Sequence, residues 1–419
     1  MLLFHDKVNA MIDKANTLIL YVMEQLTSLI FMTTNRTAPQ YFTRKPRLYL
    51  DFKNTVALIL RLVKKAATVE LMDSFYEVDE ELETPSRQAF SQAREKISHL
   101  AFKDFFDKSC ELAVNDPNPK LFKGYRLFAV DGTSFIVGVL DKLSEQFGDS
   151  TTVPGKAMCR ISAIVDVLGD CIVNACVSPF SIGERALAIQ QIAELSGVSN
   201  ALYLFDRGYW SPQLTSKIVS CGQKFLMRLA SNAGKTRITD ENGNKVTLRR
   251  YSFILPGGTE EVLLTNLSEA EMPDDELAAL YAKRWGIETK YLELKARLEI
   301  DCFSGESANI VLQDIYSTLY MSNLVAFICD NSDKIIEERT AGKNNMYEQK
   351  TNRAVCIAAL RKRFLDIVFS SNPLILYFRL QRLYKDISKS VNYVGKSKPR
   401  PRNKRSLKDS RKRRGKSSL

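Results

Sequence analysis

The sequence predicts an α/β core preceded by a helical segment, and three observations carry that expectation. Residues 201–205, ALYLF, are a continuous apolar run, as expected of a strand buried on both faces, and the run ends at Asp206. Residues 160–167 and 171–179 are two further apolar runs about a turn at Gly169-Asp170. A helical pattern over 184–196, closed by Gly197, separates that hairpin from the 201–205 run.

Taken in order, residues 6–31 are helix-like and a second helix is expected around 51–72, with an acidic turn at Glu77 to Glu83 closing the segment. Thr84-Pro85-Ser86 supplies a capping hydroxyl and an early proline for a short helix. On it lie Arg87, Gln88, Ser91, Gln92, Arg94 and Lys96, which can reach phosphates and base edges and equally suit an ordinary solvated helix. Asp116-Pro117-Asn118-Pro119 is a turn and boundary. Residues 126–130, RLFAV, then read as a strand ending in Asp131-Gly132-Thr133-Ser134. The resulting order, three strands, helix, strand, helix, is RNase H-like, with acids at the strand ends where an open sheet places its ligands.

Past Asp206, a helix starts at Ser211-Pro212 and stops at Gly222, and 224–229 is another strand. Residues 232–267 read as a β-rich insertion. Asn242-Gly243 is a hairpin turn, strands lie at 245–249, 251–255 and 260–266, and Pro256-Gly257-Gly258 turns between the last two. Arg237, Arg249 and Arg250 suit either a DNA-facing role or a solvated edge. Helices follow at about 305–330, 351–368 and 373–388, the first expected to pack against the sheet. The domains expected are a helical one over 1–118, a catalytic one over 119–390 with its insertion at about 232–267, and a basic disordered tail over 391–419.

Residues 281–295, YAKRWGIETKYLELK, suit one helix with three sides. At about 100° per residue, Tyr281, Arg284, Glu288 and Lys295 share a face. Leu280, Ile287, Tyr291, Leu294 and Leu298 form an apolar stripe, while Ala282, Lys283, Gly286, Thr289, Lys290 and Glu293 can face water. A carboxylate flanked by a phenol, a guanidinium and an ammonium suits a site holding a metal and a phosphate together. A solvated salt-bridge ladder would show the same Arg284 and Glu288 spacing. Asp131 and Asp206 can lie on adjacent strand tips, and with Glu288 they make three hard oxygen ligands that fit Mg²⁺ or Mn²⁺ better than Zn²⁺. Asp166 and Asp170, in or beside the hairpin turn, receive no metal role.

The chain has 419 residues, 60 Lys and Arg against 48 Asp and Glu, and a formal charge of +12. From Lys396 to Leu419 there are twelve basic residues and one acid, Asp409, so this stretch carries nearly all of the excess and suits a polyanion, nucleic acid first. No apolar run approaches the roughly 20 residues that cross a bilayer, and Asp6, Asp13 and Glu24 interrupt what a signal peptide keeps apolar. The expected location is the cytoplasm. The eight cysteines are scattered without a C-x2-C pair, and with only His5 and His99 they read as reduced packing residues. Two histidines also argue against a histidine-based hydrolase or nuclease.

The spacing Y-x2-R-x3-E-x6-K at Tyr281, Arg284, Glu288 and Lys295 resembles the signature of the YREK group of DDE transposases from bacterial insertion sequences, the insertion-sequence-four family. AVDGT around Asp131, FDRGYW around Asp206 and, more loosely, FSQAR at 90–94 resemble stretches of the same family, over most of residues 84–330. The resemblance implies a transposase that binds the terminal inverted repeats of its element through the helical N-terminal domain, then cleaves and transfers DNA strands. It implies Asp131, Asp206 and Glu288 as catalytic ligands of two Mg²⁺ ions, with Mn²⁺ as a substitute, and Tyr281, Arg284 and Lys295 on the phosphate backbone. Partners implied are double-stranded terminal-repeat and target DNA and a second copy when two ends are held, at the nucleoid. Trp285 suits base stacking in some relatives, although burial in the core is the stronger expectation. An RNase H-like nuclease or junction resolvase would use the same acids without needing the spaced signature. An inactive DNA-binding descendant would be expected to have lost an acid, and none is missing.

Overall fold

The computed structural model describes residues 13–44, 50–61, 71, 84–150, 153–230, 236–255, 258–343 and 345–394. The expected acidic turn before Thr84, most of the second helix beyond Arg61, the Pro256-Gly257 turn and the basic stretch from Lys396 lie outside them. The chain forms two compact units, one of Ala113–Glu293 and one of the segments up to Leu112 and from Leu294. This division differs from the expected cut at 118 and 390.

The Ala113–Glu293 unit is built on a seven-stranded mixed sheet. In chain order its elements are β1 (Arg126–Val139), β2 (Lys156–Asp166), β3 (Cys171–Pro179), β4 (Ala201–Phe205), β5 (Lys224–Leu229), β8 (Arg249–Ile254) and β9 (Glu260–Thr265), in spatial order β3-β2-β1-β4-β5-β9-β8. β6 (Arg237–Thr239) and β7 (Lys245–Thr247) make a separate two-stranded ribbon turned by Gly243 at φ 85°. Only this ribbon stands apart from the sheet among the described strands of the expected insertion. β8 and β9 extend the main sheet, because β9 runs antiparallel to β5 from Leu226↔Thr265 to Leu229↔Val262.

β1 does not stop at Asp131. Its Ala-Val-Asp-Gly-Thr-Ser composition reads as a turn, yet it stays paired antiparallel with β2 through Asp131↔Ala163 and Gly132↔Ser162 to Val139↔Lys156. On its other side it runs parallel to β4 from Arg126↔Ala201 to Val130↔Phe205 and no further. Leu127, Leu202, Leu204, Leu226 and Leu263 share one apolar cluster with Leu277, Leu280 and Tyr281 of the helix Asp274–Ala282. Alternation along β4 turns Tyr203 to the opposite face, where its ring lies 5.7 Å from Phe128. Arg126 and Asp166 form a buried ion pair at 3.1 Å, and Arg126 also donates to the carbonyls of Ala113 and Val114. Asp166 accepts from the backbone of Leu168 and Gly169, so it organises the β2–β3 turn.

The other unit is mostly helical, with one antiparallel ribbon of Glu348–Thr351 and Val391–Val394, so the first residues of the stretch expected as a disordered tail are a paired strand. It includes helices Lys14–Thr27, Leu29–Asn35, Phe52–Leu60 and Arg87–Glu95, with the long Ala308–Thr340 and then Arg353–Val368 and Pro373–Ile387. Side-chain oxygens of Asp13, Ser28, Asp51, Ser86, Ser307, Asn352 and Asn372 cap all seven of these helices. Ala308–Thr340, expected on the sheet, has helices Lys14–Thr27, Phe52–Leu60, Arg87–Glu95, Arg353–Val368 and Pro373–Ile387 as neighbours. Early and late segments meet here, for the Tyr384 hydroxyl lies 3.2 Å from the Asp13 carboxylate.

Arg94 departs from its expected reach toward DNA. It is buried and ion-paired with Asp314 at 3.0 Å, its Nε donates to Gln313, and Gln313 donates back to the carbonyls of Arg94 and Ile97. Arg87, Gln88, Ser91 and Gln92 remain exposed on this helix. Arg249 is likewise engaged, by Glu269 and by the Met272 carbonyl. The eight cysteines are all free thiols, six of them buried.

Candidate active site

The stretch expected as one helix is two. Helix Asp274–Ala282 ends, Lys283 and Arg284 turn, and a second helix runs over Trp285–Ala296. The turn is tightened by three-residue hydrogen bonds, Arg284 N to Tyr281 O at 3.0 Å and Ile287 N to Arg284 O at 3.1 Å. Leu280, Ile287, Tyr291, Leu294 and Leu298 are all buried as the stripe requires. The side expected to face water is partly buried as well. Lys290 is 2% exposed, bonded to Asp170 at 2.9 Å and to Glu293 at 3.3 Å, and so fastens the second helix to the β2–β3 turn. At Gly286 a Cβ would meet the Val167 side chain at 2.9 Å, which explains a glycine at this close approach. Trp285, expected in the core, is 50% exposed.

Asp131 and Asp206 are each the residue that follows the last paired rung of the parallel strands, Val130↔Phe205. Asp206 caps the short 3₁₀ turn Arg207–Tyr209, accepting from Arg207 N at 2.7 Å. Asp131 accepts from Gly132 N at 2.9 Å. Burial pushes the Asp131 carboxyl up to about 6, with Glu184 and Glu288 adding to the rise and Gly132 and Arg284 opposing it. Tyr291, read from sequence only as core, donates from its buried hydroxyl to the Asp131 carbonyl at 2.7 Å and pins the second helix to β1 at the acid.

Arg284 is 5% exposed and its Nη2 lies 2.7 Å from Glu288 Oε1. Burial works against its charge, but Tyr281, Glu288 and Asp206 outweigh it and raise its pKa. Burial also pushes the Tyr281 phenol up to about 12, against Arg284 and with Asp206. Among the described residues, Arg284 Nε and the Tyr281 hydroxyl are buried without a hydrogen-bond partner. Thus Tyr281, Arg284, Glu288, Asp206 and Asp131 are linked electrostatically. Lys295 lies two turns beyond Glu288 on the same helix.

Among the described residues no three acidic, histidine or cysteine side chains converge closely enough to hold an ion. Glu288 is held by Arg284, and Asp131 and Asp206 by backbone N–H groups. Carboxylate oxygens are the donor class of a hard divalent cation, and these three acids are the residues that would supply them. Glu184 and Tyr209 had no role in the sequence reading. Glu184 was legible only as an acid opening the helix after a strand, and Tyr209 as part of FDRGYW.

Residues 122–324 match the family described as the transposase DDE domain. Transposase InsG for insertion sequence element IS4 from Escherichia coli K12 is 23% identical over a region covering 57% of this chain and 60% of that protein. InsZ of the same organism is 25% identical, covering 45% of this chain and 65% of that protein. The chain spans less than two thirds of the length of these curated relatives. A piggyBac transposase synaptic complex with hairpin DNA aligns over 88% of this chain and 84% of that one, at 13% identity and a TM-score of 0.48. The likeness is to DDE transposases of insertion sequences, the group that the chain's motifs resemble.

Proposed function

We propose that the chain is a DNA transposase that binds the terminal inverted repeats of its insertion sequence and catalyses metal-dependent strand cleavage and transfer. The observation that carries the reading is the strand register: two acids one step past the last β1/β4 rung, inside the matched domain, with the charge of Glu288 reaching the first of them. The strand order β3-β2-β1-β4-β5 supports the reading of an RNase H-like core. In this reading Asp131, Asp206 and Glu288 hold two Mg²⁺ ions, which Mn²⁺ can replace. When bound, such ions lower the barrier at both the attacking and the leaving oxygen of the scissile phosphodiester.

The chain's own groups position the strand. Arg284, as a guanidinium fork, and Tyr281, as a phenol, are the groups beside Glu288 assigned to phosphate oxygens. Lys295 adds a point charge farther along the helix, and Tyr291 keeps β1 at the distance the acids need. The exposed Trp285 face suits stacking on an unpaired base. Arg87, Gln88, Ser91 and Gln92 are the exposed groups offered to the terminal repeats, and the basic stretch from Lys396 adds phosphate contacts. Two copies would pair when two ends are held, in the cytoplasm at the nucleoid.

The test is incubation of the full chain with Mg²⁺ and DNA carrying the element ends. Nicks at the end boundaries followed by joined products support transposition. Cleavage that follows DNA structure and ignores the ends would make it a nuclease or resolvase, and end binding without cleavage an inactive descendant.

A further inference from the structure

Helix Trp285–Ala296 carries Glu288 but does not inherit its position from the helix before it, because the chain breaks at Lys283 and Arg284. Two polar fasteners at consecutive residues set it on the sheet. The Tyr291 hydroxyl donates to the Asp131 carbonyl at 2.7 Å. The Lys290 ammonium, deep in the fold, lies 2.9 Å from Asp170 and 3.3 Å from the buried Glu293. At about 100° per residue, Lys290 projects from the side of the helix nearly opposite Glu288. Gly286 lies on that same side, close against Val167.

The turn that receives Lys290 is itself braced. Asp166 accepts from Leu168 N at 3.1 Å and from Gly169 N at 2.9 Å, and it is ion-paired with Arg126 of β1. Asp170 stands at φ 52°, a left-handed corner that Asp and Asn tolerate. The links close a ring: β1 through Arg126 to the turn, the turn through Asp170 to Lys290, and the helix through Tyr291 back to β1 at Asp131.

A helix held by one hydrogen bond can roll about it, and a second bond on another side stops the roll. Apolar contact, as at Ile287, is non-directional and does not. With the Glu288 carboxylate about 5–6 Å from the helix axis, a roll of about 10° carries it about 1 Å, and a misplacement of that size costs on the order of a hundredfold in rate. An apolar residue at position 290 would cover the same surface without the desolvation cost of an ammonium. What the bonded ammonium adds is direction. We propose, on the reading that Glu288 and Asp131 share a cation site, that Lys290 is a positioning residue: gripped by Asp170 and Glu293, it fixes the roll of this helix and with it the separation of Glu288 from Asp131.

The test is calorimetric titration of the metal-stripped full chain with MnCl₂, without DNA, for wild type, Lys290→Met, Glu288→Gln and the double variant. Lys290→Met is expected to raise Kd roughly tenfold in the wild-type background. It is expected to add nothing in Glu288→Gln, where the carboxylate that it places is already neutral. In nicking with saturating Mg²⁺, the same variant is expected to lose rate at saturating DNA and to keep its KM for DNA. If Lys290→Met does not fold, Asp170→Asn keeps the left-handed corner, removes the charge that ties helix to turn, and must show the same dependence on Glu288. A lysine that only stabilises the fold leaves Kd unchanged or shifts it equally in both backgrounds. Either result, with binding weakened in Glu288→Gln, overturns the proposal and leaves the cation site standing. Unchanged Kd in Glu288→Gln itself overturns the shared site and the proposal with it.

Discussion

Replacing Asp131 by Asn should stabilise the protein in the absence of metal. The Asp131 carboxyl stands at about 6 in the fold against an ordinary value of 3.8, because burial and then the neighbouring acids disfavour its charge. At about 1.4 kcal/mol per pH unit that difference is a ceiling of about 3 kcal/mol of lost stability once the group is ionised. The sign follows from proton binding. Between pH 3.8 and about 6 the folded state holds more protons than the unfolded one, so stability is greatest below this window and falls as pH rises through it. Asn keeps the oxygen that accepts from Gly132 N and carries no charge, so it removes the pH-dependent loss. Urea melts in a chelator at pH 8 are expected to show Asp131→Asn more stable by up to about 3 kcal/mol, with the gap closing near pH 4. Saturating Mg²⁺ should stabilise the wild type and not the variant. An Asp131→Asn protein less stable than wild type at pH 8, or a gap indifferent to pH, would refute the account of a carboxyl short of positive charge.

Asp206→Ala and Glu288→Ala should each abolish Mg²⁺-dependent nicking at element ends while gel shifts still detect end binding, since affinity comes mainly from cations; full nicking by either removes that residue from the site. Arg284→Ala and Lys295→Ala should slow nicking even at saturating DNA, because a misplaced phosphate is not cured by occupancy; a wild-type rate there sinks the clamp role. Arg94→Ala strands Asp314 in the interior and should cost about 3–5 kcal/mol in urea melts, whereas a loss below about 1 kcal/mol would deny the buried pair its structural part. A chain ending at Gly395 should show a salt slope of log K shallower by about five if about six phosphate contacts are lost, at about 0.9 per contact; an unchanged slope would show that the basic stretch does not bind phosphate.

The sheet was legible where strand-length apolar runs met acids or turns, as at 201–205 and 171–179, because burial on both faces leaves little other composition possible. β1 was cut short because Asp-Gly-Thr-Ser is a turn vocabulary, and only pairing with β2, remote in sequence, keeps it extended. The break at Lys283-Arg284 carries no proline and no glycine of its own, so periodicity runs straight across it. The pairing of Arg284 with Glu288 was readable from their spacing of four. Tyr291 and Glu184 were not, since a core phenol bonded to a strand carbonyl and an acid resting on a distant glycine are facts of tertiary contact. The same holds for Arg94, whose exposed-looking helix hides its partners more than two hundred residues away.

The meeting of Asp13 with Tyr384 sets a timetable for the nascent chain. The Ala113–Glu293 unit is fully encoded before the helices that cover Leu18, Ile19 and Val22 have left the ribosome. At about 5–20 residues per second the first helices wait roughly 15–60 s for theirs. Throughout that interval their apolar faces are open to chaperones and proteases. A message truncated late therefore yields a complete sheet unit and an unfinished helical one, which quality control can remove.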